Sequence, residues 1–225
     1  MTPRNNALAV STAAQPVLRH KPAQGLRYGK CSPLYMSMVK KWRAHFQGVI
    51  LKVLAKAGRF AFPMDFKPLE LYMQGFETIY LDIKDADLLG GVPETEKHGE
   101  GWHYISMKDG LVVIFYDPHM PHRRTRFTKA HEWGHIFQMI DEEFRADMEA
   151  IPDPKERDAI IESIANHFAA DYLMPHYMLT REIREVIAKY GVNASLAMRL
   201  APRFDVSEVA MQHRLTNYNA RVKKR

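Results

Sequence analysis

The chain has 225 residues, 46% of them hydrophobic, and its 32 Lys and Arg against 26 Asp and Glu give a formal net charge of +6. That size and apolar content support one sizeable core, and a single cysteine, Cys31, excludes an internal disulfide framework. No apolar run approaches the roughly 18 residues of a membrane span, and the N-terminus lacks the apolar stretch of a secretory signal, so no membrane partner is expected and the cytoplasm is the expected compartment.

Charge is unevenly spread, with no acidic side chain before Asp65. Residues 1–34, rich in Ala, Pro, Asn, Gln and Ser with no steady period, read as a basic, disordered arm. Such an arm suits an acidic partner such as nucleic acid, or docking on the chain's own acidic remainder. The first helix follows: Met36, Val39, Trp42, Phe46, Val49 or Ile50, Val53 and Ala57 trace one face, and Gly58 offers a stop. A connection through Pro63 and Pro68 leads to a predicted strand over Thr78–Ile83 and an acidic, Gly-rich loop reaching about Gly101. His103–Met107 and Leu111–Tyr116, joined by Lys108-Asp109-Gly110, read as a β-hairpin whose edge is a candidate rail for an extended peptide. His98, His103, His119 and His122 have no partner at helical spacing and read as surface or satisfied core groups. Arg123, Arg124 and Arg126 read as groups that position the next helix or meet solvent.

His131-Glu132-Trp133-Gly134-His135 is the chemically decisive run. Phe127, Ala130, Trp133 or Gly134, Phe137 and Ile140 or Met139 recur at helical spacing around it, with Thr125 or Thr128 as candidate caps. Histidines four apart share one helical face, so both imidazoles can converge on one zinc ion while Glu132, between them, serves as general base toward the attacking water. Gly134 costs about 1 kcal/mol of helix propensity relative to Ala, which is tolerated where close packing needs it.

A third ligand is sought downstream. A second helix over Ile160–Met174, ended by Pro175, has an apolar stripe and carries Glu162, while Asp141, Glu142, Glu143, Asp158, His167 and Asp171 compete with it on spacing alone. The remaining chain reads as three helices: Met178–Tyr190 stopped by Gly191, Ala194–Phe204, and one capped by Ser207. The last two suggest a helix-turn-helix that presents Glu208, Gln212, His213 and Arg214 to a DNA groove, followed by a basic tail through Arg225.

Arg124-Thr125-Arg126-Phe127-Thr128 running into the HExxH, followed by Glu162-x-x-Ala165-Asn166-x-Phe168-Ala169-Ala170-x-x-Leu173-Met174-Pro175, resembles the ImmA/IrrE family of metallopeptidases. A third block, Leu196 to Leu215, extends the resemblance over roughly residues 100 to 218. It implies that Glu162 completes the zinc site with His131 and His135. It also implies a protein substrate of regulatory type, such as an XRE-type helix-turn-helix repressor. Lys129 and Trp133 depart from the aliphatic residues usual in that family and bear on substrate fit. The expected fold is a compact zincin-like α+β domain over 35–175 with a small β-sheet, preceded by the arm 1–34 and followed by a helical extension over 176–225. The expected activity is zinc-dependent endopeptidase hydrolysis with Glu132 as base; Tyr172, His176 and Tyr177 are candidates to stabilise the oxyanion. The alternative is a non-cleaving, metal-containing regulator that binds a repressor, toxin or DNA; Glu132 favours the enzyme, because a purely structural site needs no general base.

Overall fold

The computed structural model describes residues 32–58, 63–85, 101–191 and 195–222, with side chains of the last helix as far as Asn217. Of the basic arm expected over 1–34, residues 1–31 lie outside the described residues, while Ser32, Pro33 and Leu34 open the first helix; the loop over 86–100 with His98 and the terminal Lys223–Arg225 also lie outside them. Among the described residues, no helix is long and apolar enough to cross a membrane.

Ser32 opens α1 (Pro33–Ala57) by accepting from the Tyr35 N–H, and Pro33 occupies the first turn, where its missing N–H costs nothing. Trp42, Phe46, Ile50, Val53 and Leu54 form its buried stripe. The Pro-interrupted connection contains a short helix, α2 (Lys67–Tyr72), again with proline in the first turn. The strands β1 (Glu77–Asp82), β2 (Gly101–Ser106) and β3 (Leu111–Tyr116) form one sheet in the order β1-β3-β2. β1 runs parallel to β3, and β2 antiparallel to it with Ser106 opposite Leu111. The hairpin is therefore as expected, and β3, central in the sheet, buries Val112, Val113, Ile114 and Phe115. Val112 and Ile114 join the main core, while Val113 and Phe115 face the other way with Leu81, Trp102 and Tyr104.

The metal-motif helix α3 (His122–Ile140) begins a turn earlier than Thr125 or Thr128 would place it, with Pro121 as its N-cap. Both threonines lie inside the helix, and Thr125 directs its hydroxyl back to the carbonyls of Asp117 and Met120 at 3.4 and 3.3 Å. A helix absent from the sequence reading, α4 (Glu142–Glu149), is capped by Asp141, whose carboxylate accepts from the Phe144 N–H. Asp153 and Pro154 then start α5 (Pro154–Leu173). The extension consists of α6 (His176–Tyr190), α7 (Leu196–Phe204) and α8 (Glu208–Val222), the last opened by Ser207 as expected. The chain is thus mostly helical with a small three-stranded sheet, an α+β domain.

Two polar knots bind the extension to the core. Asp205, in the α7–α8 turn, adopts a left-handed conformation, and its carboxylate meets His122, Arg123 and Arg126 at 3.3, 3.5 and 3.1 Å. These basic groups therefore fasten the start of α3 to the C-terminal helices. Arg214, expected on a DNA-facing surface, instead points inward at 6% exposure, donating to the Met174 carbonyl from Nε (3.1 Å) and Nη2 (2.6 Å) and to Asp171 from Nη1. An unpaired guanidinium could not be buried at this depth, so its role is structural. Glu208, Gln212 and His213 remain exposed.

Asp171 also receives Arg43 (3.1 Å) and Gln47 (2.7 Å) from α1. Burial pushes its carboxyl up, but the charges of Arg214 and Arg43 and the hydrogen bonds of Arg43 and Gln47 outweigh burial and hold it at about 2, below the ordinary 3.8. A carboxyl depressed on folding adds stability above its unfolded pKa and loses it as pH falls through the folded value. Asp171→Asn should therefore lower stability at pH 7 by roughly 3–5 kcal/mol, the cost of breaking a buried pair. In urea unfolding, the gap between variant and wild type should narrow as pH is lowered from about 5 toward 2. A gap independent of pH would assign the loss to packing.

Candidate metal centre

α3 and α5 pack so closely that a Cβ added to Gly134 would lie 3.0 Å from Ala165 Cα and 3.2 Å from both its carbonyl oxygen and Phe168 Cβ. The glycine's poor helix propensity is thus the condition for bringing the two helices together. That approach sets Glu162 of α5 opposite His131 and His135 of α3. The two imidazole Nε2 atoms lie 3.0 Å apart, and the Glu162 carboxylate oxygens lie 3.4 Å from His131 Nε2 and 3.3 Å from His135 Nε2. Tetrahedral zinc with ligand bonds near 2.05 Å separates its ligand atoms by about 3.3 Å, so the donor set and its spacing fit such an ion.

Each imidazole's other nitrogen is held by a side-chain amide. His131 Nδ1 lies 3.2 Å from Asn166 Oδ1, one turn beyond Glu162 on α5. His135 Nδ1 lies 2.9 Å from Gln138 Oε1, and the Gln138 amide nitrogen donates to the Ile161 carbonyl at 3.0 Å. That backbone contact fixes which end of Gln138 is oxygen. The oxygen then requires an N–H at His135 Nδ1 and leaves the Nε2 lone pair directed at the cluster, as a metal ligand requires.

Electrostatics match the geometry. Burial pushes Glu162 up, but hydrogen bonds and charge from both histidines hold it far below the ordinary carboxylate range. Burial lowers His135, yet Glu162, Glu132 and Gln138 together hold it above its ordinary value. Metal-free, the three groups pair with one another; a dication would take the protons' place.

Glu132 projects from α3 toward β2 and is 6% exposed. Its Oε2 lies 2.7 Å from His103 Nδ1, and a Cβ on Gly101 would meet Oε1 at 2.9 Å and Thr128 Cγ2 at 2.4 Å. Burial pushes the Glu132 carboxyl up, but the hydrogen bond and charge of His103, with the charges of His131 and His135, bring it below its ordinary value. It is held as a carboxylate, able to accept a proton.

The other sequence candidates are engaged elsewhere. Asp141 caps α4 and meets His45 at 2.7 Å, Asp171 is locked to Arg43 and Arg214, Asp158 faces Arg157, and Glu142 and Glu143 are exposed. Tyr172, an oxyanion candidate, is fully buried and donates its hydroxyl to the Asp65 carbonyl at 2.5 Å. Tyr177 is 47% exposed and His176 is exposed at the start of α6. Lys129 and Trp133 lie on the sheet-facing side of α3: the Trp133 indole donates to Tyr80 Oη at 3.1 Å, and Lys129 Nζ sits 3.6 Å over the Tyr116 ring. Trp133 is wholly buried, so these departures concern how the sheet seats on the helix. Sequence reasoning passed over Gln138 and set His103 aside. The signal for Gln138 was its position three residues after His135; His103 had none, because it arrives from a separate strand.

Two outcomes are expected here. Glu162→Ala should lose the metal on elemental analysis while keeping its helical circular dichroism; full metal content would move the third ligand elsewhere. In Gly134→Ala, the roughly 1 kcal/mol gained in helix propensity is outweighed by overpacking of about 1–3 kcal/mol against the α5 backbone. The variant should therefore be less stable in thermal unfolding and bind zinc more weakly than wild type, whereas a gain in stability would show that α5 can yield.

A profile of the IrrE N-terminal-like domain, peptidase family M78, matches residues 94–216. The radiation response metalloprotease IrrE of Deinococcus radiodurans is 28% identical over 131 residues, 57% of this chain. Those residues span 39% of that relative's length. A solved Mycobacterium tuberculosis transcriptional regulator superposes over 82% of this chain and 52% of its own, with a TM-score of 0.46 and 13% identity. With the family profile spanning more than half of the residues, including the motif helix and its partner α5, the chain belongs to the ImmA/IrrE family of metallopeptidases.

Proposed function

We propose that this chain is a zinc-dependent endopeptidase that cuts a regulatory protein, with His131, His135 and Glu162 as metal ligands and Glu132 as general base. One observation carries the reading: beside the cluster of His131, His135 and Glu162 lies a second buried carboxylate, Glu132, that stays out of the cluster and is held by His103 at 2.7 Å. A ligand-only site would have no use for that. When bound, the ion supplies a Lewis acid that polarises the scissile carbonyl and acidifies water. Glu132 takes the proton from the attacking water and later passes it to the leaving amine. Asn166 and Gln138 keep the two imidazoles in the ligating tautomer.

β2 supports an extended substrate. Among the described strands it pairs on one side with β3, so its other edge offers backbone N–H and C=O groups beside Glu132 for strand addition. Family resemblance supports a helix-turn-helix repressor as the protein cut, in a role kindred to that of a radiation response metalloprotease.

The test is incubation of the zinc-loaded full chain with an XRE-type helix-turn-helix repressor from the same genome, with and without chelator, followed by electrophoresis for a discrete fragment. Glu132→Gln should retain metal and bind the repressor, while cleavage falls by roughly 10² to 10⁴. Regulation that persists in this variant with no fragment from either protein would establish the non-cleaving regulator instead.

A further inference from the structure

His103 is a mostly covered imidazole that the proposed reaction leaves without a task. It is 11% exposed and comes from β2, whose backbone is fixed by pairing His103 with Ile114 of the buried central strand. It meets one stripe of α3 at three successive positions. Nδ1 is 2.7 Å from Glu132 Oε2, the ring lies parallel to His135 with centroids 5.4 Å apart and planes at 16°, and Nε2 is 3.2 Å from Met139 Sδ. A thioether sulfur is at best a weak acceptor, so the strong hydrogen bond of this ring is the charge-assisted one to Glu132. Two residues earlier on the same face of β2, Gly101 leaves the space that Glu132 Oε1 occupies. The strand therefore treats the two carboxylate oxygens differently, donating to one and clearing room for the other.

We propose that His103 is a positioning residue for the general base: its Nδ1–H holds Glu132 Oε2, so that Oε1 alone handles the proton, and its ring packs against His135 to set base and metal ligand in register. This rests on the reading of Glu132 as the base. The hydrogen bond anchors a side chain that would otherwise sample several rotamers, and the anchor is delivered by a strand that is independent of the ligand helices.

The test uses the zinc-loaded full chain labelled with ¹⁵N. A downfield, slowly exchanging imidazole N–H should be present in wild type and absent in both His103→Asn and Glu132→Ala. Its absence from wild type, or its persistence in Glu132→Ala, overturns the proposal. Crystal structures should show the Glu132 carboxylate displaced in His103→Leu and restored in His103→Asn, whose amide donates from the place of Nδ1; an undisplaced carboxylate in the leucine variant also overturns it. Should His103→Leu not fold, the asparagine and Glu132→Ala spectra still decide. On the repressor, His103→Leu should lower kcat by about 10- to 100-fold with KM within about twofold, and His103→Asn should recover most of it. A wild type that cuts nothing while the N–H signal is present would sink the peptidase reading and leave the hydrogen bond standing.

Discussion

The close approach of α3 and α5 at Gly134 and Ala165 is the constraint on which the centre depends. His131 and His135 are set by a single helix and would share a face in any packing. Glu162 and Asn166 reach them where the two backbones come so near that a Cβ at position 134 would press on Ala165 and Phe168 at 3.0–3.2 Å. The amide of Gln138 adds directional control, since it spans from α3 to a carbonyl of α5 and so ties the orientation of His135 to the register of the neighbouring helix. The spacing of three groups that could hold a metal ion, a tautomer and a helix–helix distance are here one property.

Around that pair the other elements have separate duties. The sheet supplies His103 and the space at Gly101 from one side, and β3 anchors it by burying side chains on both faces. On the opposite side α1 lays Trp42 and Phe46 against Phe144, with ring centroids 5.0 and 5.7 Å apart, and its Arg43 and Gln47 reach Asp171. Lys129 and Trp133 show how departures from a family's usual residues can be absorbed together. Tyr80 accepts the indole N–H and donates to Glu70 at 3.1 Å, and Lys129 stacks its ammonium between the Tyr80 and Tyr116 rings.

Much of this was legible in the sequence, for identifiable reasons. The i, i+4 histidines follow from helical period, and the hairpin from a turn flanked by strand-forming runs, because both are local patterns. Glu162 was one of several carboxylates on spacing and stood out through the matched downstream block. Two features were misread although signals existed: α4 announces itself by Asp141 before an acidic first turn, and α2 by a proline in its opening turn. Arg214 and Tyr172 looked functional because their chemistry is versatile. Their burial was not visible locally, since it depends on where α8 and the segment at Asp65 return to the core. His103 failed in the opposite sense, a lone histidine whose importance exists only once β2 lies across α3.

The inward Arg214 also bears on modularity. The three side chains that satisfy Asp171 and the Met174 carbonyl, Arg43, Gln47 and Arg214, come from α1 and α8, helices at opposite ends of the described chain, and they meet at the C-terminal end of α5. The chain therefore has no clean seam after Pro175. A truncation there would remove one of the two guanidinium groups that hold Asp171 and the donors that cover the Met174 carbonyl. Any domain joined beyond α8 would be tied through Arg214 to the helix that carries Glu162, and through the Asp205 turn to the helix that carries His131 and His135.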